Sequence, residues 1–154
     1  EFNSVNLYKD IDSRISEKKS GYVCVCDSSV LTRTFKEPEY RKIINGAFVN
    51  SCDGSSICTL ANKLYGPGLV SVNGPEIFAK YIKLSYKQVI IGNTDGIVQM
   101  VRNKIHQDGE DDSYITHLQV PFCTVDKFDY KAIAEKINQE ELKILPLEKL
   151  LRVQ

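Results

Sequence analysis

Ala47-Phe48-Val49-Asn50-Ser51-Cys52-Asp53-Gly54-Ser55-Ser56-Ile57 decides the fold class. Asp53-Gly54 closes the segment opened by the apolar run Ala47-Phe48-Val49, and a helical pattern follows at once. Ile57, Leu60, Ala61 and Leu64 stand at i, i+3, i+4 and i+7, the spacing of a core-facing helix. Gly54 permits the sharp turn between them. A carboxylate between a strand end and a helix start lies where open α/β sheets keep their sites. Asp53 then has two readings. It is a helix cap, since aspartate is favoured at such ends, or it is a general base or sugar ligand. On this stretch alone the cap reading ranks first.

Working outward, strands alternate with helices from Gly21 to Ile137. Gly21–Cys26 is a continuous apolar run that predicts a strand buried on both faces. Glu37-Pro38-Glu39 opens a helix that Gly46 ends. Leu69–Val72 predicts a short strand, and Asn73-Gly74-Pro75 starts a helix with Ile77, Phe78, Tyr81 and Ile82 inward. Gln88–Ile91 reads as the clearest buried strand, followed by Gly92-Asn93-Thr94-Asp95-Gly96 and a helix with Ile97, Val98, Val101 and Ile105 on one stripe. Tyr114–Val120 predicts a strand, and Asp129 opens a helix with Tyr130, Ile133, Ala134 and Ile137 inward. Val5-Asn6-Leu7 reads as a short apolar start, and the segment from Tyr8 to Ser20 as a surface helix. This order predicts an α/β fold, a mostly parallel sheet with helices on both faces. The expectation is a single domain over 1–154, with its core at 21–138 and a leucine-rich tail at 141–154.

Composition narrows the classes. The 154 residues carry 20 basic and 20 acidic side chains, so no basic excess points to nucleic acid. No apolar run approaches the roughly 20 residues of a membrane span, and the start shows no signal-peptide pattern. Five cysteines, an odd number without a disulfide-like framework, predict free thiols in a reducing, cytoplasmic setting. Cys24 and Cys26 share a strand face, but no Cys/His pair has ligand spacing elsewhere, and His106 and His117 stand alone. No metal site is expected.

The loops at the predicted carboxyl ends of the strands are Asp27-Ser28-Ser29, Asp53-Gly54, Asn73-Gly74-Pro75-Glu76, Gly92–Gly96 and the stretch near Pro121. Three of them feed helix N-termini, whose unpaired amides suit a phosphate or diphosphate. The Gly92–Gly96 loop is the best phosphate candidate, although it carries neither a P-loop nor a G-x-G-x-x-G pattern. Its plain alternative is a turn with Asp95 as helix cap. Ser28 and Ser29 lack a Ser/His/Asp context, which argues against nucleophilic catalysis.

Several stretches together resemble the WecG/TagA/CpsF glycosyltransferase family, which has a Rossmann-like core. They are Glu37-Pro38-Glu39-Tyr40-Arg41-Lys42-Ile43-Ile44-Asn45, Asn50-Ser51-Cys52-Asp53-Gly54-Ser55-Ser56-Ile57, Ser71-Val72-Asn73-Gly74-Pro75-Glu76-Ile77-Phe78, Val89-Ile90-Ile91-Gly92-Asn93, and Val120-Pro121-Phe122 with Phe128-Asp129. The resemblance runs from about Gly21 to Asn138.

It implies an inverting enzyme of cell-surface polysaccharide synthesis. Such an enzyme moves an N-acetylhexosamine-type sugar from a UDP donor to a polyprenyl-diphosphate-linked acceptor, without a metal or other cofactor. It places the catalytic base on Asp53, and substrate-binding roles on Asp27, Gly54, Asn73, Gly74, Glu76, Gly92, Asn93 and Pro121. A lipid-linked acceptor implies work at the inner face of the membrane by peripheral contact, and the tail leucines leave a homo-oligomer open.

The chain departs from the family pattern at Val25, Asp27, Ser71, where arginine is common, and Glu76. After Asn138 it lacks a Gly-Leu-Gly-Ala-Pro-Lys-Gln-Glu-like segment. The expectation is therefore a chain truncated or divergent at its C-terminus, with little activity alone. A non-catalytic nucleotide-sugar-binding protein and a Mg²⁺-dependent phosphotransferase are the alternatives.

Overall fold

The computed structural model describes residues 7–124 and 127–139. The first two residues of the apolar start, Val5 and Asn6, and the whole 141–154 tail lie outside them. The chain divides into two compact units, one running to Phe78 and one from Ala79.

In the first unit, α1 (Leu7–Ser16) precedes β1 (Val23–Cys26), α2 (Ser28–Lys36), α3 (Pro38–Asn45), β2 (Val49–Cys52), α4 (Ser55–Tyr65) and the start of α5 (Gly74–Tyr81). β1 and β2 pair in parallel, Val23 against Val49 and Cys26 against Cys52. The predicted strand at Leu69–Val72 reduces to one parallel bridge, Ser71 against Cys52. Buried Cys24, Cys26 and Ile44 form a core with Val30 of α2 and Tyr40 of α3. Asn50 is buried there too, and its amide donates to the Ile44 carbonyl at 3.2 Å.

α2 is an element the sequence pattern does not announce. Its Val and Thr residues favour strands, and Phe35 is exposed. Its start is set by a cap instead. Asp27 caps it, and the Thr32 and Thr34 hydroxyls donate to the Ser28 and Val30 carbonyls four residues back.

α4 forms where expected but is rotated. Cys58 and Ala61 are buried, whereas Leu60 and Leu64 are 58% and 62% exposed. Cys52 and Cys58 are bonded to each other, which corrects the expectation of five free thiols. The turn at Gly54 folds the helix back so that these Cα atoms lie 6.2 Å apart, within disulfide reach. Cys24, Cys26 and Cys123 are free.

In the second unit, β3 (Gln88–Ile91), α6 (Asp95–Gln107), β4 (Ile115–Leu118) and α7 (Tyr130–Gln139) follow the end of α5. β3 and β4 pair in parallel, Gln88 against Ile115 and Ile91 against Leu118. Ile82, Ile105 and Ile115 form the core, with Ile90 and Val101 against it. β3 is half-buried rather than buried, because β4 is its only strand partner among the described residues. Ile137 faces inward on α7, but Tyr130 is exposed, as is Ile97 on α6. Asp129 accepts the Ala132 amide at 2.9 Å and so opens α7 as expected. The architecture is the mixed, parallel α/β class that the alternation of elements predicts.

Among the described residues, no helix is long and apolar enough to cross a membrane.

Candidate functional site

Asp27 and Asp53 directly follow the register pair Cys26–Cys52, so adjacent parallel strands deliver both at their carboxyl ends. The Asp53 amide donates to the Cys26 carbonyl at 3.0 Å, extending the ladder by one bond. The two carboxylates then do different work. Asp27 is an N-cap: it accepts the Val30 amide at 2.8 Å and the Ser29 hydroxyl at 2.7 Å. These bonds, the Val30 amide foremost, hold its carboxyl below the usual carboxylate range.

Asp53 is not a cap. Gly54 occupies the N-cap position of α4, at φ +108°, and no side chain bonds the first turn. The half-buried Asp53 carboxylate has no hydrogen-bond or ion-pair partner among the described residues. The cap reading therefore fails, and Asp53 is left available for chemistry.

The turn that presents Asp53 is clasped by Ser71, at the position where the resemblance leads one to expect arginine. Its hydroxyl accepts the Gly54 amide at 3.1 Å and donates to the Cys52 carbonyl at 3.3 Å. The Val72 amide bonds the same carbonyl at 3.0 Å. Asn73 accepts the Glu76 amide and donates to the Glu76 carboxylate, both at 2.9 Å, so the two residues lock the start of α5. Gly74 is buried, and a Cβ there would meet the Val25 methyls at 3.9 Å. The first unit thus gathers Asp53, Gly54 and Asp27 at its strand ends, with Ser71 bridged to Cys52 and Gly74 beside Val25.

In the second unit, Gly92 and Asn93 leave β3 with φ of +88° and +61°. Thr94, not Asp95, caps α6, accepting the Ile97 amide at 3.4 Å. Asp95 instead meets His117 Nδ1 at 3.0 Å, while His117 Nε2 meets the Gly92 carbonyl at 2.7 Å. His106 likewise meets Asp112 at 2.7 Å, so neither histidine stands alone. A cavity of about 270 Å³ lies beside β4, lined in part by Val89, His117 and Lys136. Pro121 and Phe122 are exposed.

Two contributors were not visible in the sequence reading. Ser71 gave only a departure from a pattern. His117 is one residue in an alternating strand, and its partners become neighbours only through strand pairing.

No curated protein matches the chain. A model of the glycosyl transferase WecG/TagA/CpsF family matches residues 2–147, a longer span than the 21–138 over which the motifs were read. A parallel α/β fold, an uncommitted carboxylate at a strand end and a match over nearly the whole chain agree: the protein belongs to the WecG/TagA/CpsF family of glycosyltransferases.

Proposed function

We propose that this chain moves an N-acetylhexosamine-type sugar from a UDP donor to a polyprenyl-diphosphate-linked acceptor, with inversion, as a step of cell-surface polysaccharide synthesis. The observation that carries the reading is Asp53, a strand-end carboxylate committed neither to a cap nor to an ion pair among the described residues.

In a single displacement, the acceptor hydroxyl gives its proton to the Asp53 carboxylate as its oxygen bonds the anomeric carbon. The bond from that carbon to the UDP oxygen breaks, and UDP leaves with the electron pair. One displacement inverts the centre. Gly54 and the Ser71 clasp fix where the carboxylate stands. Asp27, Asn73, Gly74 and Glu76 are the acceptor- and sugar-binding candidates of the first unit.

The Gly92–Gly96 loop and Asn93 of the second unit are assigned the donor diphosphate, with Pro121 beside the donor. Amides at a helix start stabilise the charge that develops on the leaving group, so the reaction is proposed to need no metal cofactor. The enzyme would work in the cytoplasm against the inner membrane face, where its acceptor resides.

The test is thermal stabilisation by UDP and UDP-sugars, with and without chelator. Stabilisation that survives chelation is the expected result. No stabilisation at millimolar UDP overturns the assignment.

A further inference from the structure

We propose that His117 is a positioning residue for the donor-diphosphate loop, tying Gly92 to Asp95 so that the loop amides stay aimed outward. The proposal rests on the reading of that loop given above.

The loop has an unusual backbone. Two consecutive residues, Gly92 and Asn93, take left-handed φ values, and the second has a side chain. Asparagine tolerates this region better than most residues, but the conformation still has to be held. It is held at one end by the sheet, where the Gly92 amide donates to the Leu118 carbonyl at 3.0 Å. His117, from the same strand as Leu118, supplies the rest. Its Nε2 meets the Gly92 carbonyl at 2.7 Å and its Nδ1 meets the Asp95 carboxylate at 3.0 Å. Both ring nitrogens face oxygen atoms of the loop, so one ring ties its two ends together.

The His117 side chain is 12% exposed, whereas that of Asp95 is 83% exposed. A half-buried ring therefore anchors an exposed loop, which is the arrangement that fixes a binding loop on a rigid element. The amides of Asn93, Thr94, Asp95 and Gly96 donate to no backbone carbonyl among the described residues. Successive free amides next to a left-handed residue form an anion-binding concavity. Its shape depends on the two contacts that His117 makes.

The experiment compares the full chain with His117→Ala and His117→Gln. Circular dichroism melting first establishes that each variant is folded. Hydrogen–deuterium exchange of the unliganded proteins then reads the loop directly, and calorimetric titration with UDP and with uridine reads its use. His117→Ala is expected to speed exchange at Asn93–Gly96 and to weaken UDP by about tenfold, the scale of one charge-assisted hydrogen bond. Uridine affinity should change far less. His117→Gln, which retains a donor toward Gly92, should recover most of the loss.

Folded His117→Ala protein with unchanged loop exchange overturns the proposal. So does a UDP-to-uridine affinity ratio equal to that of the wild type. Wild-type chain that binds neither ligand overturns the assignment of the loop to a donor, and the positioning role falls with it.

Discussion

The Ser71 hydroxyl accepts the Gly54 amide at 3.1 Å, joining the short bridge after α4 to the turn that carries Asp53. Because the same hydroxyl donates to the Cys52 carbonyl, it spans the turn from strand end to helix start. Ser71→Ala should cost about 1 kcal/mol of stability, the usual worth of such a bond. It should lower turnover more than it weakens UDP, since it frees the base and not the donor loop. Urea unfolding and steady-state kinetics on the same preparation check both parts.

Asp27 and the other paired carboxylates give stability a definite acid limb. The Val30 amide and Ser29 hydroxyl lower the pKa of Asp27, and Lys104 and Lys83 lower that of Asp108 to about 2. A depressed carboxylate stabilises the fold above its unfolded value, and that contribution disappears as pH falls through the folded value. Stability should therefore decline from the ordinary carboxylate range near ~4 down toward pH 2. Asp27→Ala should cost about 1 kcal/mol at neutral pH, as loss of a cap does, and less at pH 3. Asp27→Asn keeps the cap, so its effect on sugar transfer separates binding from capping.

Ser51 is fully buried, and its hydroxyl has no hydrogen-bond partner among the described residues. An unsatisfied buried hydroxyl disfavours the folded state. Ser51→Ala should leave the unfolding free energy in urea unchanged or raise it, by up to about 1 kcal/mol. A clear loss of stability would mean that the hydroxyl is bonded.

The cysteines should sort by reactivity. Cys123 is exposed, and Cys24 and Cys26 are buried. Burial pushes the Cys26 thiol up to about 12 and also raises Cys24, which suppresses thiolate formation. Native protein titrated with a thiol reagent should show one fast-reacting group, absent from Cys123→Ser. Unfolding without reductant should expose three thiols, and unfolding with reductant all five.

The class of fold was legible because it rests on local pattern. Pro38 and Gly46 bracket α3 as read, β1, β3 and β4 fall within the predicted strands, and β2 meets the apolar run Ala47–Val49 only at Val49. What was missed depends on partners distant in sequence. Leu60 and Leu64 match a core-facing helix by spacing, yet Cys58, bonded to Cys52, and Ala61 are the residues that face inward. α2 hides behind residues with strand propensity because its start is set by one cap, Asp27, and its Val30 packs on a core shared with β1 and α3. At the site, sequence named both Asp27 and Asp53 but not which one caps. That was decided by Gly54, whose φ lets it take the N-cap position itself. His117 could not be assigned a partner before β4 was placed beside β3.

The role proposed for Asp53 is that of the base in a sugar transfer. The most direct measurement is transfer from a UDP–N-acetylhexosamine to a polyprenyl-diphosphate-linked acceptor analogue by wild-type protein and Asp53→Asn, with UDP affinity measured on both. Asparagine keeps the shape but cannot accept the proton, and Asp53 makes no cap bond to lose. Wild-type transfer should persist in chelator, and Asp53→Asn should lose at least about a hundredfold, the lower end for a general base. Melting temperature and UDP affinity should be nearly unchanged. An Asp53→Asn protein that retains most of its turnover would contradict the account.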